Sequence, residues 1–192
     1  MNRPRTIAEL LARTIGLDVD SLGASLVDRA VRRRMRAIEA AEEGDYLRRA
    51  IDDADERQAL IEELVVPETW FFRDAGPFRV LARFAGRWAG DADLPPLRAL
   101  SLACATGEEA YSIAMALREA GLAPGRYCVL GIDVSARAIY AARRGRYGAR
   151  SLRGAGDVPR RFIRPDGDGF EVAPEIRSRV EFRIGNLLDP NC

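Results

Sequence analysis

The chain contains no histidine. That absence removes the commonest general base, argues against a typical zinc site and leaves no partner to activate a cysteine nucleophile. Cysteine is scarce, with three among 192 residues. An odd number, with Cys104 and Cys128 inside apolar runs that read as buried strands, points to reduced thiols and a cytoplasmic setting; Cys192 ends the chain. Long apolar runs are missing: no segment reaches the ~18 residues of a membrane span, so no direct membrane insertion is expected. The opening Met-Asn-Arg-Pro-Arg-Thr-Ile lacks a signal-peptide core. Charge of one sign is missing too, since 30 basic and 29 acidic residues leave a net charge of +1. Overall charge therefore gives no argument for nucleic acid, and electrostatic targeting must come from local patches. There are no internal repeats.

What the chain does have is a strand–turn–helix signal at Leu100-Ser101-Leu102-Ala103-Cys104-Ala105-Thr106-Gly107-Glu108-Glu109-Ala110-Tyr111-Ser112-Ile113-Ala114. Thr106 and Gly107 sit at the turn, where small residues let a ligand approach the backbone. Glu108 and Glu109 open the helix, where the dipole favours acids, and they would repel a phosphate. The turn suits a positively charged ligand. About 25 residues on, Tyr127-Cys128-Val129-Leu130-Gly131-Ile132-Asp133-Val134-Ser135 reads as a second strand ending in an acid. An acid there commonly accepts hydrogen bonds from ribose hydroxyls. The alternative for Asp133 is a helix N-cap, a place that Ser135 could fill instead. Small turn, acidic helix start and ribose acceptor fit S-adenosylmethionine better than NAD, because the sulfonium is cationic and the ligand has no pyrophosphate. Gly-x-Gly-x-x-Gly is absent from the first turn, which counts against a dehydrogenase.

Residues 1–64 read as an all-helical domain. Thr6 starts one helix, with Glu9 as a capping box. Asp20 or Ser21 starts the next, whose Leu26, Val27, Ala30, Val31, Met35 and Ile38 share one face. Arg29, Arg32, Arg33 and Arg36 share the opposite face. Arg34 leans toward the apolar side, and the pattern assigns it no role. Helices follow around 44–54 and 56–64. Val65 to Asp74, with Pro67, Trp70, Phe71 and Phe72, is too aromatic for a solvated linker and is expected to pack on the next domain. Pro77 to Trp88 reads as a helix. From Leu97 strands and helices alternate: strand Leu97–Cys104, helix Glu108–Ala120, strand Tyr127–Val134, helix Ala136–Arg144. Such a rhythm implies βαβ units and a parallel sheet. Residues 147–179 interrupt it with a polar, Gly-rich stretch holding a hairpin over 161–172. A third strand follows at Val180–Gly185. The fold class is therefore α/β: a small helical domain, then a partial Rossmann-like domain over 76–192, of the kind that would bind S-adenosylmethionine, with an inserted antiparallel β-subdomain. Residues 65–75 link the two and are expected to pack on the second. Three parallel strands make half of a doubly wound sheet, so the first strand is expected to show a bare edge and the chain to be part of a longer protein.

Glu-Thr-Trp-Phe-Phe-Arg at 68–73 and Ala-Thr-Gly-Glu-Glu-Ala-Tyr-Ser at 105–112 resemble the CheR family of chemoreceptor methyltransferases, and the likeness runs from the helical domain to Leu188. The wording Val-Pro-Glu-Thr-Trp-Phe-Phe-Arg is similar to members with a C-terminal tetratricopeptide extension, as in Wsp-type pathways. The resemblance implies methyl transfer from S-adenosylmethionine to receptor glutamates. It implies that Thr69 and Arg73 touch the methionine end, that Glu108 meets the amino group and that Asp133 meets the ribose. Thr106 and Gly107 form the turn, and Asn186 with Leu187 meets the adenine side. Arg73 is the candidate catalytic residue, holding either the substrate carboxylate or the cofactor's own; its alternative is an ordinary pairing with Asp74 or Glu68. Where this chain has Pro67 the family often has Asn, so one cofactor contact is missing or replaced. The family's helical domain presents basic residues to the receptor helices, here Arg29, Arg32, Arg33 and Arg36; the alternative is a solvated helix face. The inserted subdomain binds a receptor tail peptide in some members. Two competing readings remain: a truncated or degenerate module that binds cofactor or receptor without catalysis, and a methylase of nucleic acid or a small molecule. Against a base methylase stand the neutral charge and the absence of an Asp/Asn-Pro-Pro-aromatic motif.

Overall fold

The computed structural model describes residues 3–153 and 159–189. They form two compact units, one of residues 1–66 with 185–192 and one of residues 67–184. Cys192 and residues 154–158 of the inserted segment lie outside the described residues.

The helical unit holds α1 (Ile7–Ile15), α2 (Val19–Leu22), α3 (Ala24–Ala37), α4 (Glu43–Asp52) and α5 (Ala54–Leu64). Thr6 caps α1, its hydroxyl accepting from the Glu9 amide at 3.1 Å. The Glu9 carboxylate reaches past the cap and accepts from the Arg5 amide at 2.9 Å. The helix expected to run on from Asp20 or Ser21 is instead broken. Asp18 caps the short α2 and Gly23, at φ +84°, separates it from α3. Only glycine adopts that conformation without steric cost, and the apolar face read from the sequence begins at Leu26, after this break. Asp53 separates α4 from α5 and accepts from the amides of Asp55 and Glu56. The core gathers Leu10, Leu11, Val27, Val31, Tyr46, Leu60 and Leu64.

Arg34 has a role after all. Its Nε and Nη2 donate to the two carboxylate oxygens of Glu56 at 3.0 and 2.7 Å. The fully buried Tyr46 hydroxyl donates to the same carboxylate at 3.1 Å. Burial, with the Glu56 charge beside it, pushes the Tyr46 hydroxyl well above its usual range. A buried acid is tolerated only when paired in this way.

The second unit begins with an aromatic segment and α6 (Ala75–Ala89), followed by β1 (Leu97–Leu102), α7 (Glu108–Glu119), β2 (Tyr127–Asp133) and α8 (Ala136–Arg144). After them come β3 (Arg146–Tyr147), β4 (Ile163–Asp166), β5 (Gly169–Val172), α9 (Pro174–Arg177) and β6 (Val180–Ile184). The main sheet is parallel in the order β1-β2-β6, with Leu97 opposite Tyr127 and Val129 opposite Val180. The edge of β1 away from β2 is bare among the described residues. A small antiparallel sheet runs β3-β5-β4. Its hairpin is shorter than expected, because Arg161 and Phe162 belong to a 3-10 turn (Arg160–Phe162) and the strand starts at Ile163.

The Phe182 ring is what draws α7, α8 and the strands together. A Cβ on Gly131 would lie 2.7 Å from that ring, and one on Gly107 would lie 2.9 Å from it and 2.8 Å from the Ala142 methyl. On this side, therefore, Gly107 leaves room for the protein's own core. The other face of the sheet is exposed at Leu100, Leu102 and Cys128. The expectation that Cys128 is buried fails for that reason: alternation puts it on the uncovered face. Cys104, just past β1, is buried, and burial pushes its thiol up to about 12. That excludes it as a nucleophile at neutral pH. Among the described residues no helix is long and apolar enough to cross a membrane.

Candidate cofactor site

Two strand tips meet at the head of the sheet. The Cys104 amide donates to the Ile132 carbonyl at 3.0 Å, and the chain then folds back, with Ala103, Ala105 and Gly107 at φ +55°, +48° and +94°. Left-handed alanines cost roughly 1–2 kcal/mol each, and such strain persists where the surroundings over-determine it. At Ala105 the holding group is Asp133. One carboxylate oxygen accepts from the Ala105 amide at 2.8 Å and the other from the Ser135 amide at 2.9 Å. Ser135, not Asp133, caps α8, its hydroxyl accepting from Ala138 at 2.9 Å. Asp133 thus ties the end of β2 to the first turn while each oxygen keeps a second lone pair for a ligand hydroxyl.

Glu108, the first residue of α7, is only 3% exposed. The Thr106 hydroxyl donates to one carboxylate oxygen at 2.6 Å and the Ser151 hydroxyl to the other at 2.8 Å. Among the described residues no arginine pairs with it. Burial raises its pKa above the usual carboxylate value of 4.5, opposed by the two hydroxyl hydrogen bonds. A buried acid with hydroxyl partners alone is poised for a cation.

The aromatic segment is anchored to this acid's own helix turn. The Phe72 amide donates to the Ser112 hydroxyl at 2.9 Å, and that hydroxyl donates to the Glu108 carbonyl at 2.7 Å. The Phe71 amide donates to the Ser151 carbonyl at 2.9 Å. The buried Phe71 ring meets Tyr147 and Phe170 of the small sheet, with centroids 5.0 and 5.6 Å away. Tyr147 donates its hydroxyl to the Thr106 carbonyl at 2.7 Å. Sequence reasoning took Ser112 as packing within the 105–112 motif and missed Ser151 and Tyr147. The last two lie about forty residues from the turn they brace, and no spacing rule links them to it.

Thr69 is half-buried and Arg73 exposed. The Arg73 guanidinium lies over the Trp70 ring at 4.6 Å, and Arg153 lies over the same ring at 4.5 Å. The Glu68 carboxylate pairs with Arg153 at 2.7 Å, while Arg73 reaches only the Glu68 carbonyl at 3.4 Å. Arg73 therefore keeps most of its donors available. The structure brings Thr106, Gly107, Glu108 and Asp133 together in one unit, with Thr69 and Arg73 on the segment anchored to it. Asn186 and Leu187 belong to the helical unit, where the Asn186 amide donates to the Thr14 carbonyl. Arg29, Arg32, Arg33 and Arg36 are all exposed on α3. Arg32 pairs with Asp28 at 3.6 Å and Arg33 with Glu63 at 3.1 Å; among the described residues Arg29 and Arg36 form no ion pair.

The donor set suits a ligand with a cationic nitrogen and a pair of adjacent hydroxyls, and it offers a pyrophosphate only repulsion. S-adenosylmethionine has that chemistry. Comparison with known proteins agrees. Residues 67–192 match the CheR methyltransferase SAM-binding domain, and residues 5–65 match the CheR methyltransferase all-alpha domain. A probable biofilm formation methyltransferase, WspC, of Pseudomonas putida is 47% identical over 193 residues, covering 99% of this chain and 45% of that protein. The chemotaxis protein methyltransferase of Salmonella typhimurium is 35% identical over 193 residues, covering 96% of this chain and 65% of that protein. The chain spans about half to two thirds of the length of these relatives. It belongs to the CheR methyltransferase family, and its residues 67–192 are that family's S-adenosylmethionine-binding domain.

Proposed function

We propose that the full protein transfers a methyl group from S-adenosylmethionine to glutamate carboxylates on the cytoplasmic helices of chemoreceptors. The observation that carries this reading is the buried Glu108 carboxylate, held by two hydroxyls at the start of α7 beside the turn that Asp133 ties down. Glu108 takes the cofactor's amino group and Asp133 its ribose hydroxyls, through the lone pairs not used by Ala105 and Ser135. Thr106 and Gly107 shape the turn. Thr69 and Arg73 serve the methionine end. Pro67 supplies no side-chain donor, so that contact is absent or made elsewhere.

When bound, the cofactor supplies a methyl group on a cationic sulfur. The acceptor needs no base, because a glutamate with pKa near ~4.3 is already ionised at neutral pH. A chain without histidine suits such a reaction. What remains is alignment and partial desolvation of two opposite charges. The planar fork of Arg73 is suited to orient a carboxylate. The test is methylation of a soluble receptor cytoplasmic fragment by the full-length protein with isotope-labelled cofactor. Label that stays off glutamate would sink the reading.

The raised Glu108 pKa gives a signed pH dependence. In the empty protein burial favours the neutral acid, so stability is lost as pH rises from 4.5 through the folded value. A cationic ligand favours the ionised acid. Affinity for S-adenosylhomocysteine, measured calorimetrically, should therefore fall as pH is lowered through that range, with proton release on binding. Glu108→Gln should flatten this pH slope, and a slope that survives would remove the contact.

On α3, Arg29 and Arg36 are the cations that form no ion pair among the described residues, in the row proposed to meet the acidic receptor helices. Reversing both to Glu should raise KM for receptor by roughly tenfold and weaken its salt dependence, leaving cofactor affinity alone. A KM that does not move assigns the row to solvation.

A further inference from the structure

The outward face of α6 has no role in what precedes. Its fifteen residues include Arg79, Arg83 and Arg87 and no acid. All three are exposed, and among the described residues none forms an ion pair or side-chain hydrogen bond. At 3.6 residues per turn they fall within an arc of about 80°. Val80 and Phe84 lie beside them, 66% and 48% exposed. The inward side is occupied by the protein itself: Ala85 is buried, and Leu81 and Trp88 pack on the core of the unit. Like charges at i, i+4 spacing disfavour a helix, so the row does not serve the stability of α6.

We propose that this face is a docking surface for an acidic amphipathic helix of the methyl-accepting partner, laid along α6 toward Arg73. The partner's identity rests on the function proposed above. Three observations carry the surface. Neighbouring arginines stand about 6 Å apart, the spacing at which a second helix repeats acids at i, i+4. The apolar pair Val80 and Phe84 runs along one side of the row, matching one apolar stripe on a partner. The helix is continuous with the proposed site: Arg73 and Asp74 lead into its first turn, and the Phe72 ring meets Phe78 on α6 at 5.1 Å. An anionic bilayer is the weaker fit. An interfacial helix offers lipid a broad apolar face between its cations, and the broad apolar face of α6 is already spent on the core.

The experiment uses the full-length protein and a soluble receptor cytoplasmic fragment. Fragment binding is measured by calorimetry and methyl transfer with labelled cofactor. The variant Arg79→Glu/Arg83→Glu/Arg87→Glu should weaken fragment binding and raise its KM by roughly tenfold or more, most at low salt, with kcat and cofactor affinity unchanged. The neutral variant Arg79→Gln/Arg83→Gln/Arg87→Gln should show a smaller rise, and it carries the test if charge reversal prevents folding. Unchanged binding of the fragment overturns the proposal. So does loss of binding to vesicles of anionic phospholipid with fragment binding intact, which would give the face to a membrane. Wild-type protein that binds the fragment through these arginines but transfers no methyl would leave this surface standing and overturn the catalytic reading instead.

Discussion

Replacing Asp133 by alanine should cost the protein stability and cofactor together. The carboxylate accepts from two backbone amides on different turns, and the residue is 6% exposed. Removing it leaves both donors without a charged acceptor, at an expected cost of about 2–4 kcal/mol in the unfolding of the catalytic unit. Ala105, at φ +48°, loses the acceptor of its amide, and the turn relaxes. Affinity for S-adenosylhomocysteine should fall by about 1.5–3 kcal/mol more, the scale of hydrogen bonds to a charged group, or roughly ten- to hundredfold. Urea unfolding reads the first effect and calorimetry on the full-length protein reads the second. Asp133→Asn, which keeps one acceptor, should fall between. Unchanged affinity in a folded variant would remove the ribose assignment. Unchanged stability would mean that the turn is held by something else.

An effect of similar size is expected in the helical unit from Arg34→Ala. Glu56 is nearly buried and shares its charge with Arg34 and the Tyr46 hydroxyl. Truncating the cation strands a carboxylate among Leu60, Tyr46 and Val31 and should destabilise the unit by about 3–5 kcal/mol. Replacing the whole group by apolar residues of similar volume, as Arg34→Met/Glu56→Leu/Tyr46→Phe, should recover most of the loss, because then no polar atom is left unsatisfied. Denaturant midpoints of the two variants decide the matter. If the triple variant is as weak as the single one, shape rather than charge is what the group provides.

These two residues also mark where sequence reading succeeded and where it stopped. Asp133 was legible because a strand end followed by Ser135 at a helix start is a local pattern. The same holds for Gly107, Glu108 and the limits of α8. The second duty of Asp133, holding the Ala105 amide across to β1, was not legible, since it depends on the register of two strands. Arg34 was legible only as an oddity on the apolar side of α3; its meaning comes from Glu56, 22 residues away on another helix. Gly23 breaks the expected helix before its apolar face starts at Leu26, so the period gave no sign of the break. Cys128 sits in an apolar run, and period alone does not say which side of the sheet is covered. Ser151 and Tyr147 carry no motif; they reach the site only because the small sheet folds back on the first turn of α7.

That last contact changes what the small sheet is. Ser151 grips the Glu108 carboxylate and Tyr147 grips the Thr106 carbonyl, so the inserted segment is part of the wall behind the acid, not an appendage clipped to the surface. It cannot be excised cleanly: removing it would take one hydroxyl partner from the Glu108 carboxylate and leave the Thr106 carbonyl without its phenol donor, so the acidity of Glu108 and the shape of the turn would change together.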